Sequence, residues 1–169
     1  MLIVGIDCGK NHVDAVAMTH DRVTSCMTSD VFNSSRPLAR DSAIKRMRFD
    51  LVAYLREMRE EPVLYVEDAI VMRSRSVAIS IAQTVGMVLT LPYEVHLVPI
   101  DSWKQELCRS GASKARVKEV VSGRYPGTAD MFGDRQDLFD ATGVAVFGAA
   151  HQAFSKDLGA ISTTNATGS

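Results

Sequence analysis

Leu2-Ile3-Val4-Gly5-Ile6-Asp7 is the stretch from which the rest of this chain can be read. Four of its first five residues are aliphatic, and only Gly5 interrupts them. Such a run suits a central strand covered on both faces. It ends in a carboxylate, which is costly in an apolar setting unless something stabilises it. Cys8-Gly9-Lys10-Asn11 then reads as a turn, and residues 13–18 as a second apolar segment. A buried acid at the tip of the first strand asks for a metal or a ligand, and for other groups that come to meet Asp7.

Outward from that strand, residues 12–18 and 22–27 read as strands joined by the turn Thr19-His20-Asp21. A further strand is expected near Val31 or Phe32, before a loop over residues 33–37. Asp41 or Ser42 can cap a helix to about residue 59, with Ile44, Met47, Leu51, Val52, Leu55 and Met58 on one stripe. Val63-Leu64-Tyr65-Val66 is another short buried strand, ending in Glu67-Asp68. Residues 74–91 are helical, with Val77, Ile81, Val85, Val88 and Leu89 on one side. Ala78, Ala82 and Gly86 form a row of small residues on another side, which lets something pack closely. Residues 94–98 form a strand, and Pro99 opens a short helical segment containing Trp103, a core anchor, and Leu107. Ser113 caps a helix to about Gly123, Tyr125-Pro126-Gly127 opens a polar loop, and the last helix runs from near Asp134 to about Phe154. This order predicts an α/β domain with a mixed sheet of about five strands flanked by helices. The domain is expected to cover residues 1–156, followed by a disordered Thr/Asn/Gly/Ser-rich tail over 157–169.

Composition narrows the function. A chain of 169 residues with 46% hydrophobic content suits one domain with a substantial core. The net charge of -1 gives no global basic field, so an anionic partner must be held by a local patch. Cys8, Cys26 and Cys108 are odd in number and widely spaced, which argues against a disulfide framework and for a reducing, cytoplasmic setting. No signal segment and no run of transmembrane length is expected, so no membrane partner is either. The four histidines, His12, His20, His96 and His151, have no metal-ligand spacing and read as structural or exposed; His12 is the one near enough to Asp7 in sequence to touch its site.

The acids carry the chemistry. Asp7 and Glu67 end two strands that, if parallel neighbours, present both carboxylates at the same sheet edge. Asp137 and Asp140, three apart on the last helix, share one face. Asp137 taken alone is explained by the dipole at a helix start, with Asp134 as the cap. Asp140 lies too far in for capping. Four clustered carboxylates repel by roughly 4 kcal/mol per pair at about 4 Å and an effective dielectric near 20. A divalent cation removes that penalty, and all-oxygen ligation favours Mg²⁺ or Mn²⁺. Two such ions about 4 Å apart can stabilise the attacking and leaving oxygens of a phosphodiester.

With these residues in place, the chain resembles the RuvC family of Holliday junction resolvases, which have an RNase H-like fold. The resemblance runs from Leu2 to about His151. It rests on Ile3-Val4-Gly5-Ile6-Asp7-Cys8-Gly9, Tyr65-Val66-Glu67, Ala82-Gln83-Thr84-Val85-Gly86, Pro99-Ile100-Asp101-Ser102-Trp103-Lys104, Gly111-Ala112-Ser113-Lys114-Ala115-Arg116-Val117 and Asp137-Leu138-Phe139-Asp140-Ala141. It implies an Mg²⁺-dependent endonuclease, with Mn²⁺ able to substitute and two ions per site, held by Asp7, Glu67, Asp137 and Asp140. It also implies a homodimer, joined by the small-residue row, that binds a four-way DNA junction and nicks two opposed strands. Lys104 and Lys114 match positions near the cleaved phosphate.

Further DNA contacts are expected from Arg73, Arg75, Arg116 and Lys118. Arg36, Arg40, Lys45, Arg46 and Arg48 read as a solvated helix face instead. The chain departs from the family pattern in three places. Cys8 stands where the family has proline, Asp68 where it often has glutamine, and Ile70 where it has a base-stacking phenylalanine. Other classes compete: a relaxed branched-DNA or flap nuclease, an RNA-processing relative on the same fold, and a junction-binding dimer without catalysis. Asp7-x-Gly9 before a hairpin also resembles an actin-like phosphate loop, but that fold needs a second such loop and a chain about twice as long.

Overall fold

The computed structural model describes residues 1–19, 21–31, 40–68, 74–109 and 112–164, with backbone alone from 154 onward. His20, Phe32, Arg36, Ile70, Arg73 and Gly111 lie outside the described residues. The strands are β1 (Ile3–Cys8), β2 (His12–Thr19), β3 (Arg22–Asp30), β4 (Val63–Asp68) and β5 (Val95–Pro99). The helices are α1 (Arg40–Arg56), α2 (Arg75–Leu89), α3 (Ile100–Cys108), α4 (Lys114–Arg124), α5 (Thr128–Phe132) and α6 (Gln136–Thr164). The five strands form one mixed sheet in the order β3-β2-β1-β4-β5. The β1–β2 and β2–β3 pairs are antiparallel, and β4 runs parallel to both β1 and β5.

β1 is central, and the pleat sends its alternate residues to opposite faces. Leu2, Val4, Ile6 and Cys8 enter one core with Leu64 and Val66, covered by Met47, Leu51 and Leu55 of α1 and Ile81, Val85 and Val88 of α2. Ile3 and the neighbouring Val16, Met18 and Tyr65 enter the other, covered by α3, α4 and α6 through Trp103, Val117, Phe139 and Val144. The strand therefore has no solvent face, which is why it reads as a continuous apolar run.

Gly5 determines how closely α6 can approach. A Cβ built there would stand 2.1 Å from the Ala141 carbonyl oxygen and 2.4 Å from the Ala145 nitrogen. Only the missing side chain lets the helix backbone rest on β1. Further along α6, the aromatic rings of Trp103 and Tyr65 fill the space above Gly143 and Gly148.

Several expectations need correction. The described residues show no separate strand at Val31: β3 itself runs to Asp30, paired to β2 with one bulge opposite Ala17 and Met18, and Val31 lies just past its end. The polar loop after Tyr125 contains the short helix α5. The last helix continues to Thr164, through residues assigned to the tail. That segment has no proline, and Gly159 inside it weakens a helix by only about 1 kcal/mol without ending it. Residues 165–169 lie outside the described residues. Arg40 is not on a solvated face: its guanidinium donates to the Lys10 and Ser80 carbonyls, to Thr84 Oγ1 at 2.8 Å and to Gln83 Oε1 at 3.1 Å, tying α1 to α2 and to the β1–β2 turn. Among the described residues, no helix is long and apolar enough to cross a membrane.

Candidate active site

β1 and β4 are parallel neighbours, with Ile6 opposite Val66, so Asp7 and Glu67 emerge together at the sheet's C-terminal edge. α6 brings Asp137 and Asp140 to the same place, because Gly5 lets its first turns sit directly on β1. The four acids expected from the sequence thus converge from two strands and one helix.

Their electrostatics follow from this crowding. Burial pushes the Asp7 carboxyl well above the usual range, and the charges of Glu67, Asp137, Asp140 and Asp14 push it further. Burial also raises Glu67, opposed by a hydrogen bond from Trp103 Nε1 to its Oε2 at 2.8 Å and by the charges of Lys104 and Lys114. Asp140 is raised by burial and held back by Gln136 Nε2, which donates to its Oδ1 at 3.1 Å, and by the same two lysines. No donor among the described residues reaches the Asp7 carboxylate. A recessed, undonated acid within a group of acids is the donor set of a hard divalent cation, so the residues fit such a metal.

Two residues outside the expected acid set belong to the site. Asp14 on β2 lies directly opposite Asp7 in the antiparallel register and is only 2% exposed. Thr28 Oγ1 donates to it, and Arg135 Nη1 stands 4.0 Å from its Oδ1. Burial raises its pKa against the pull of Thr28 and His12. The signal was available: a hairpin turning over residues 9–11 pairs Cys8 with Val13 and hence Asp7 with Asp14. His12 is the other. Its Nε2 lies 3.3 Å from Asp137 Oδ2 and 3.8 Å from Asp14 Oδ2. Asp7, His12 and Asp137 each offer one ligand atom, all within 4.8 Å of one another.

The cations take several positions. Lys114 Nζ stands 3.7 Å from Asp137 Oδ1, and Lys104 Nζ lies 5.2 Å from the Trp103 ring centroid. Both face the acids. Arg116 pairs with Glu119 at 2.8 Å, and Lys118 pairs with Asp134 at 3.4 Å. These pairs are exposed and of low intrinsic worth, so both cations remain available to an anion. Arg75 is exposed in the first turn of α2. Ser113 caps α4 as expected, its Oγ accepting from the Arg116 amide. Asp134 does not cap α6; the helix starts two residues later, and Asp134 turns out to Lys118. Trp103 is both fully buried and the donor to Glu67, a role that an indole N–H in a core demands. Asp68 points away from the acids, to the opposite side of the sheet, where it lines a groove along α2.

That groove, of about 430 Å³, also contains the small-residue row, with Ala82 exposed and Gly86 facing open space. Ile79 and Leu89 are exposed beside it, while Ile81, Val85 and Val88 pack on the sheet. Leu89, expected on the packed side, is therefore outside it, and the row is not covered by the described residues.

No protein-family profile matches this chain, and no curated protein matches it by sequence. Solved structures do. The chain is similar to Thermus thermophilus RuvC in complex with a Holliday junction substrate, at 21% identity and a TM-score of 0.77, covering 92% of this chain and 96% of that one. Thermus thermophilus RuvC alone gives 20% identity and a TM-score of 0.74 over 92% and 97%. The Fowlpox virus resolvase with substrate Holliday junction DNA gives 14% and 0.56 over 90% and 99%. The chain therefore has the RuvC fold, an RNase H-like fold, and the resemblance read from the sequence is borne out at that level.

Proposed function

We propose that this chain is a divalent-metal-dependent endonuclease that resolves four-way DNA junctions by paired, symmetric nicks. The observation that carries the reading is the meeting of Asp7, Glu67, Asp137 and Asp140 at one sheet edge, on a fold shared with a protein solved on a Holliday junction. Asp7, Glu67, Asp137 and Asp140 hold the metal, Mg²⁺ or Mn²⁺, with two ions per site. Bound divalent cations supply charge neutralisation and an acidified water.

The protein's own groups arrange the rest. Gly5 keeps α6 against β1, so its two acids cannot drift from Asp7. Trp103 and Gln136 orient the Glu67 and Asp140 carboxylates by single hydrogen bonds. Lys104 and Lys114 present charge at the edge of the acid group, where a scissile phosphate gathers negative charge. Arg75, Arg116 and Lys118, with Arg73, hold backbone phosphates and set the register of the junction. The outward row Ala78, Ala82 and Gly86, with Ile79 and Leu89, is the surface on which a second copy packs, placing two sites on opposed strands.

The test offers the protein an immobile four-way junction, linear duplex, a flap and an RNA hairpin, each with and without Mg²⁺. Paired nicks in the junction alone, abolished by chelation, are the expected result. Equal cutting of flaps or RNA would replace resolution with a relaxed nuclease, and junction binding without cutting would leave a structural dimer.

A further inference from the structure

We propose that His12 is a direct nitrogen ligand of the metal centre, and that this donor turns the site toward Mn²⁺ or a similar transition cation over Mg²⁺. The inference rests on the reading that Asp7 and Asp137 hold a divalent cation, and it adds a residue from a different strand.

The hairpin returns His12 to the sheet edge five residues after Asp7. Its Nε2 points into the cleft of about 420 Å³ that contains Asp14, Lys114 and Asp137, at 3.3 Å from Asp137 Oδ2. Ligands around one small cation, each at about 2.0–2.3 Å, stand about 3 to 4.5 Å apart. The ligand atoms of Asp7, His12 and Asp137 lie within 4.8 Å of one another and need only close slightly to meet that span.

The ring is also seated in advance. A Cβ on Gly9 would stand 2.0 Å from His12 Cε1 and 2.3 Å from its Nε2, so the imidazole occupies the room that glycine leaves. The Gly9 amide donates to the His12 carbonyl at 3.0 Å, fixing the turn beneath it. With a ring nitrogen of His12 within 4.8 Å of carboxylate oxygens of both Asp7 and Asp137, the set is mixed nitrogen and oxygen rather than all oxygen. An imidazole donor is a poor partner for Mg²⁺ and a better one for later divalent metals.

The competing account makes His12 a simple countercharge to Asp14 and Asp137. Pulsed EPR of the full-length, metal-stripped protein titrated with Mn²⁺ separates the two. Expected are ¹⁴N modulation from a bound imidazole in the wild type and its loss in His12→Gln. Alongside, Mn²⁺ affinity should fall by at least about tenfold in His12→Gln while Mg²⁺ affinity changes by less than about twofold. Stoichiometric Mn²⁺ binding without ¹⁴N modulation in the wild type, abolished by Asp7→Asn, overturns the His12 ligand and leaves the carboxylate centre standing. ¹⁴N modulation that persists in His12→Gln also overturns it. Mn²⁺ binding indifferent to both Asp7→Asn and His12→Gln removes the centre itself, and His12 with it. Because the wild-type spectrum decides against the ligand on its own, a misfolded variant does not shelter the idea.

Discussion

The two faces of β1 put alternate residues of one strand to different uses. Toward α1 and α2, Val4, Ile6 and Cys8 join an apolar core, and the Cys8 thiol is pushed up first by burial and then by the neighbouring carboxylates. Toward α6, Ile3 and Gly5 lead to Asp7, a half-buried carboxyl surrounded by other acids. One face contributes stability. The other retains a repulsion that costs stability and prepares a place for charge. Where the resemblance has proline and this chain has Cys8, the change falls on the first face and leaves the acids untouched.

The largest expected effect breaks the second face alone. Asp7→Asn should reduce junction cutting by at least about a hundredfold, equivalent to about 2.7 kcal/mol of transition-state stabilisation. The thermal midpoint of the metal-free protein should rise or stay level, because a buried charge among like charges is gone. A large fall in the midpoint, read by circular dichroism, would show that Asp7 is a structural acid.

Breaking the first face should do the reverse. Leu51 is fully buried on α1, and Leu51→Ala should cost about 2–5 kcal/mol in denaturant unfolding. Cutting per folded molecule should stay within about twofold of wild type, since none of the four acids lies on α1. Gly5→Ala tests the point where the two faces share a backbone. Overpacking against Ala141 should cost about 1–3 kcal/mol, and the displacement of α6 should lower cutting by more than stability explains. Unchanged turnover in folded Gly5→Ala would separate the close approach of α6 from the placement of its acids.

The smallest effect is in the pH dependence. Asp7, Asp14, Glu67 and Asp140 are all raised, so the folded protein keeps protons that the unfolded chain has released. Their contribution is full below the ordinary carboxyl range and is lost as pH climbs from that range through the raised folded values. The metal-free protein should melt higher near pH 5 than near pH 7.5, and Asp7→Asn should flatten that difference. Added Mg²⁺ or Mn²⁺ should raise the midpoint more at pH 7.5 than at pH 5, because the ligands must shed protons to bind. A midpoint that rises with pH in the metal-free protein would contradict the repulsion among these acids.

Much of this was legible along the chain because it is local. The apolar run of β1, the capping Ser113 and the stripe of α1 follow from periodicity and turn chemistry, and so do the elements they announce. Asp7 and Glu67 could be matched because strand tips are local features and parallel neighbours share an edge. The Asp137–Asp140 pair could be read because helix spacing puts them on one face.

What the sequence alone could not decide is set by approach distances between distant segments. The role of Trp103 depends on its N–H meeting a carboxylate 36 residues away. The row Ala78, Ala82 and Gly86 suited either packing or a second copy until the sheet took the other side of α2. Arg40 looked solvated because nothing local marks three carbonyl and hydroxyl acceptors converging from α2 and a turn. His12 lacks ligand spacing in sequence, since its partners Asp7 and Asp137 come from a neighbouring strand and a helix more than a hundred residues on. Residue identity determined the elements and most of the acids; the hairpin register and the contact of α6 at Gly5 decided which side chains share a site, because only tertiary packing brings together groups that no local period relates.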